Sequence, residues 1–153
     1  MSTNCTAANQ QFVDSTACAA VCATYTPGMS GATGGDTLGC REYHAGLAAS
    51  NPVVHCPHAS LLGGGVCAVD NCTSFCDAGL ALCTGANAAY ASKAACMTAC
   101  AGYTYNTGEA ITADTDKNTL NCRVYHLQLA TEGGTSLSVH CPHTAQVSAV
   151  CTM

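Results

Sequence analysis

Fourteen cysteines in 153 residues limit what this chain can fold into more than any other feature, because twelve of them fall into two series of matched spacing. Cys5, Cys18, Cys22, Cys40, Cys56 and Cys67 recur as Cys83, Cys96, Cys100, Cys122, Cys141 and Cys151. Hydrophobic residues reach 48% but alanine dominates them, and aromatics are only 5%, so the apolar core is weak per residue. Covalent staples make up such a deficit. Disulfides persist where the surroundings are oxidising, which places the chain in an extracellular or periplasmic setting. All fourteen cysteines, including Cys72 and Cys76 outside the matched series, are expected to be oxidised.

Spacing does not fix their pairing, since six cysteines allow 15 connectivities. In one arrangement the Cys72-x-x-x-Cys76 face pairs with Cys96-x-x-x-Cys100 across a helical hairpin, and Cys18 and Cys22 need other partners. In the other, each repeat forms three identical bridges, and Cys72 and Cys76 bond to each other or to a neighbouring molecule. The Cys72–Cys100 stretch resembles known hairpins in which twin Cys-x-x-x-Cys motifs staple two helices.

The repeat extends beyond cysteine. Thr37-Leu38-x-Cys40-Arg41-x-Tyr43-His44 matches Thr119-Leu120-x-Cys122-Arg123-x-Tyr125-His126, and His55-Cys56-Pro57-His58 returns as His140-Cys141-Pro142-His143. Phe12 matches Tyr90, and Tyr25 matches Tyr103. These matches predict a mainly α, small disulfide-rich fold of two tandem similar repeats with short helices and long loops. Residues 1–70 form one unit, and residues 71–153 form the other with an added Cys-x-x-x-Cys helix at its start.

Helices are predicted from a cap at Ser15 or Thr16 to about Tyr25, and from Ser92 to about Gly102. Two more run from about Cys40 to Ala49 and from Cys122 to Thr131, each carrying its cysteine and histidine four apart on one face. Another, from Thr73 to Leu82, joins the repeats. The His-Cys-Pro-His stretches are expected to be extended or looped, because proline disfavours a helical residue before it. On its Cys-Arg-x-Tyr-His and His-Cys-Pro-His motifs, the chain loosely resembles the tandem cysteine-rich repeats of uncharacterised secreted or lipoprotein-type bacterial proteins. That resemblance covers both repeats and implies no activity.

The two motifs use every one of the 6 histidines. Each repeat thus offers a trio, His44, His55 and His58, then His126, His140 and His143. Neutral imidazole is the commonest metal ligand, and oxidised thiols do not compete with it. The same histidines could instead bond to backbone in a loop-rich core. Copper is the first candidate, as it tops the affinity series for nitrogen ligands. Zinc comes next and haem third: covalent haem attachment needs Cys-x-x-Cys-His, which is absent. Asp114-x-Asp116-x-Asn118 alternates like a calcium loop, but neither the glycine nor the closing glutamate follows. Arg41 and Arg123 are read as binding a carboxylate partner or, in preference, as donors to backbone carbonyls at a repeat interface.

A net charge of −5 with only 4 basic residues excludes the electrostatic footprint of nucleic-acid binding. No apolar run approaches the ~20 residues of a membrane span, and Met1 is followed by no signal-peptide pattern. No nucleophile–base set stands out, so an enzyme is not expected. Charged residues are only 8%, against roughly 25% in ordinary domains. Low charge and tandem faces predict an extracellular structural protein that associates with itself as oligomers or filaments. The alternative is copper or haem binding for electron transfer or metal storage.

Overall fold

The computed structural model describes residues 3–152, so the outermost residues of the two expected units lie outside it. Its helices are α1 (Ser15–Cys22), α2 (Leu38–Leu47), α3 (Pro52–Ala59), α4 (Asn71–Leu82), α5 (Lys93–Cys100), α6 (Leu120–Leu129) and α7 (Ser136–His140). Short 3-10 turns link several of them, including Cys141–Thr144 directly after α7. No strand forms among the described residues; two isolated bridges join Thr104 to Thr119 and Lys117 to Thr152. The fold is therefore mainly helical and built on six disulfides, as the repeat pattern predicts.

Caps fix where the helices start. Thr37 and Thr119 accept from the amides of Cys40 and Cys122, so α2 and α6 begin two residues before those cysteines. Ser92 caps α5 as expected. The predicted cap of α1 is displaced by an aspartate just upstream, and α4 likewise starts at an aspartate, ahead of the predicted Thr73. Asp14 accepts from Ala17 N, and Asp70 from Thr73 N, each at 2.7 Å. A carboxylate at that position both satisfies a free amide and faces the positive end of the helix dipole.

Both His-Cys-Pro-His stretches are helical, contrary to the sequence expectation. His55 to His58 lie inside α3, and His140 closes α7 before the 3-10 turn that holds Cys141 to His143. Pro57 falls near the end of a short helix, so its missing amide forfeits little of the ladder. The residue before each proline is also a stapled one: Cys56 bonds to Cys5, and Cys141 to Cys83. Cys141 keeps helical angles, φ −57° and ψ −44°, against the local preference.

The bridges repeat where the motifs do. Cys5–Cys56 and Cys40–Cys67 in the first copy correspond to Cys83–Cys141 and Cys122–Cys151 in the second. Cys72–Cys100 and Cys76–Cys96 staple α4 to α5, which is the hairpin arrangement. Cys18 and Cys22 are not bridged, a correction to full oxidation: their sulfurs lie 4.0 Å apart on α1, and among the described residues no second Cys-x-x-x-Cys helix is bridged to them.

The two copies share one core. Val21, Leu61 and Leu62 of the first pack in one cluster with Phe75, Leu120 and Leu127. The fully buried Gln128 of α6 crosses between the copies: its Oε1 accepts from Val13 N at 2.9 Å and its Nε2 donates to Gln11 O at 3.0 Å. Gly39 marks a difference between them. A Cβ there would lie 2.1 Å from Met29 O, so only glycine lets that loop cross α2. The second copy has a longer loop, and Asn121 in the matching place bonds both ways to the backbone of Asn106.

Candidate functional site

Each copy builds one imidazole cluster from neighbouring short elements. His44 comes from α2 and is 6% exposed, while His55 and His58, three apart on α3, are half-buried. In the second copy His126 comes from α6 and is likewise 6% exposed, facing the half-buried His140 and His143. The six histidines singled out in the sequence therefore come together as two trios.

The same nitrogen converges in every case. His44 Nδ1 lies 2.9 Å from His55 Nδ1 and 3.4 Å from His58 Nδ1. His126 Nδ1 lies 3.0 Å from His140 Nδ1 and 3.3 Å from His143 Nδ1. On the far side, His44 Nε2 donates to Thr33 O at 3.3 Å and His126 Nε2 to Thr115 O at 3.1 Å. A carbonyl only accepts, so the proton of each helical histidine sits on Nε2, and its Nδ1 presents a lone pair to the other two rings.

This is the outer-shell arrangement that orients a metal-ligating imidazole. Three nitrogens at ~2.0–2.1 Å from one ion in tetrahedral directions would stand roughly 3.3 Å apart. The observed spacings bracket that value. A metal ion can thus be held by either trio.

Burial also disfavours the charged form of three of these rings. It pushes His126 down to about 4, an effect that His143 and His140 reinforce and the Thr115 carbonyl opposes. Burial and the neighbouring imidazoles lower His58 and His143 as well. In the unfolded chain His126 takes a proton near its ordinary pH 6.5, but in the folded chain only near 4. Between those values the unfolded state binds more protons, so metal-free stability falls as pH drops. Melting temperatures measured between pH 7 and 4.5 should fall, and His126→Gln should fall less over the same range.

Two further neighbours were not legible as site residues. Tyr43 and Tyr125 follow their histidines' helices in register, which places them off the histidine face. Yet their rings stand edge-on to His44 and His126, with centroids 5.2 Å apart in both copies. Cys40 and Cys67 also reach His44, and Cys122 and Cys151 reach His126, with ligand atoms within 4.8 Å. Those sulfurs are joined in disulfides and offer no thiolate.

Within the calcium-like alternation, buried Asp114 accepts through Oδ2 from Thr119 Oγ1 at 2.7 Å and Asn106 Nδ2 at 3.2 Å, while its Oδ1 is buried without a hydrogen-bond partner. Asn118 Oδ1 accepts from the Arg123 guanidinium at 2.8 Å, a cation where calcium would need an open oxygen. Both arginines are buried and bond within their own copy. Arg41 donates to Thr37, Ser60 and Leu61 carbonyls and pairs with Asp36 at 2.9 Å. Arg123 donates to Thr119, Ala145 and Gln146 carbonyls.

Fold and site together define a class: a disulfide-stapled helical domain with a buried-edge imidazole trio, present here twice in tandem. The chain belongs to the BfoA family by its C-terminal domain, which matches residues 1–71 and again residues 69–151. One similar protein is the bifonsecin B biosynthesis cluster protein A of Aspergillus brasiliensis. It is 42% identical over 67 residues, which is 43% of this chain and 23% of the relative. Another is the aurasperone B biosynthesis cluster protein A of Aspergillus niger, 40% identical over 67 residues, 43% of this chain and 22% of the relative. The match thus spans less than a quarter of these curated relatives. No solved structure matches the chain. These findings replace the bacterial lipoprotein resemblance: the family is that of fungal biosynthesis-cluster proteins.

Proposed function

We propose that this is an extracellular, non-catalytic metal-binding protein in which each imidazole trio holds one ion, copper before zinc. The observation that carries the reading is the convergence of three Nδ1 atoms in both copies, with the buried ring's tautomer set from behind by Thr33 or Thr115. Six disulfides support an oxidising location, where imidazole rather than thiolate is the ligand at hand. Between two axial imidazoles, haem needs about twice a metal–nitrogen bond. Spacings of 2.9 and 3.0 Å favour a bare ion over it. On the likeness to biosynthesis cluster proteins, the domain is proposed to act as a metal-holding module in such a setting.

Bound copper would supply a redox-active or stored ion at a half-buried position. The chain's residues would hold it, fix the direction of approach and release protons as it binds, since each ligand must be neutral. Self-association is part of the proposal, supported by exposed Val53 and Val54 beside the first trio and Val139 beside the second.

Elemental analysis after loading and desalting tests the reading. Two ions per chain are expected, one in His44→Ala, one in His126→Ala and none in the double variant, all with unchanged helical circular dichroism. A wild-type chain that retains neither copper nor zinc would sink it. Sedimentation of the same samples reads association, and a monomer at every concentration removes that part.

A further inference from the structure

The unbridged pair on α1 has a template within the same molecule. Cys18 and Cys22 match Cys96 and Cys100, which are 0% and 1% exposed because α4 lies across them. On α1 the matching face is uncovered, and both cysteines are half-exposed. Ser15, Ala19 and Ala23 around them are small and exposed, and α1 carries no charged side chain, so another helix backbone can approach closely.

A second observation points to the same occupant. In the covered copy, Phe75, one residue before the second cysteine of α4, is fully buried and stands edge-on to Tyr90 with centroids 6.3 Å apart. Phe12 takes the place of Tyr90 in the first copy. Beside it lies a cavity of about 240 Å³, whose lining includes Phe12, Val13, Cys5 and Cys18. The cavity thus borders Phe12 and Cys18, whose counterparts Tyr90 and Cys96 face α4 in the covered copy. We propose that the α1 face is the acceptor half of a second twin hairpin: it receives a helix of the α4 kind, Cys-x-x-Phe-Cys, docked antiparallel and bridged twice.

That helix is not α4, whose cysteines are already bonded. Nor is it α1 of another copy, which has Val21 before its second cysteine, and that valine is fully buried in its own core. The partner is thus an α4-type segment outside residues 3–152. By the α4–α5 pattern its first cysteine bonds to Cys22 and its second to Cys18. Closing both bridges removes four thiol protons and four electrons. Two molecules of a small-molecule disulfide accept them and leave as four thiols. Cys18 is suited to start the exchange, because the Cys22 thiol beside it brings it down to about 7.

An isotope-labelled synthetic peptide of residues 70–82 is the probe, added to the intact chain in a glutathione redox buffer. The expected product is a one-to-one adduct, with peptide Cys76 on Cys18 and peptide Cys72 on Cys22 by mass mapping. A peptide with Phe75→Ala should give at least tenfold less, because the apolar contact that holds the helix in place is lost. Four outcomes would overturn the proposal. These are a Cys18–Cys22 bond with no adduct, a covalent dimer through α1, label on Cys96 and Cys100 instead, or both thiols still open to alkylation. Equal yields from the two peptides would overturn the role of the cavity.

Discussion

Replacing Cys83 and Cys141 together with serine should destabilise the chain by about 4 kcal/mol and empty the second imidazole trio while leaving the first loaded. The bridge closes a separation of 58 residues, and chain-entropy estimates for a loop of that size give about 4 kcal/mol at 25 °C. Cys141 lies between His140 and His143, before a proline that works against helical geometry at that position. Without the bridge, the turn that aims both imidazoles at His126 has lost its anchor. A shift of the denaturant midpoint at constant slope, together with one metal ion per chain instead of two, is the result to look for. Cys5→Ser with Cys56→Ser should give the mirror image, because that bridge spans a similar separation of 51 residues. Cys18→Ser is the control: that thiol is half-exposed and unbridged, so its loss should move the midpoint by less than ~0.5 kcal/mol. If the double serine variant of the second copy melts like wild type, the staples are ornaments on a core that holds by itself.

Much of this architecture can be read from the residues, for identifiable reasons. A duplicated motif needs no energy function, so the matched cysteines and the helical hosts of His44 and His126 follow from spacing, while the grouping of the histidines is one of two readings the spacing allows. What escapes is whatever depends on a partner far away in sequence. Pro57 and Pro142 argue locally for extended chain, and the opposing term is a disulfide to Cys5 or Cys83, more than fifty residues away. Thr33 and Thr115 contribute only backbone carbonyls, so their side chains carry no signal of the role they play behind the histidines. Ser15 looks like a cap until Asp14 is seen to do the work one residue earlier. The two copies also pack on one shared core. Gln128 is fully buried and fastens α6 to the chain between Gln11 and Val13.

The arginines gain most from seeing the fold, and Arg123→Ala should be among the most damaging single substitutions in the chain. The side chain is 0% exposed, and no carboxylate pairs with it among the described residues. Its charge is met instead by the carbonyls of Thr119, Ala145 and Gln146, by Asn118 Oδ1, and by the face of Tyr103, 3.6 Å from the guanidinium carbon. Arg41 does the same over Tyr25 at 3.7 Å, with Asp36 where the second copy has Asn118. Truncation leaves several buried acceptors without donors and a cavity against the tyrosine, a loss on the order of 3–5 kcal/mol. Lysine cannot repair it, since one ammonium neither forks to separated carbonyls nor lies flat on the ring. Ala145 and Gln146 directly follow the turn that carries His143, so the arginine also ties down the exit of the metal-binding segment. Arg123→Ala should therefore lower the midpoint of unfolding and weaken ion binding at the second trio more than at the first, and Arg123→Lys should recover little of either. Titrating copper into each variant, with His44→Ala in the background to isolate the second site, reads the two effects separately. Unchanged affinity in a destabilised protein would confine the arginine to holding the fold; an unchanged midpoint would show that its carbonyl contacts contribute nothing.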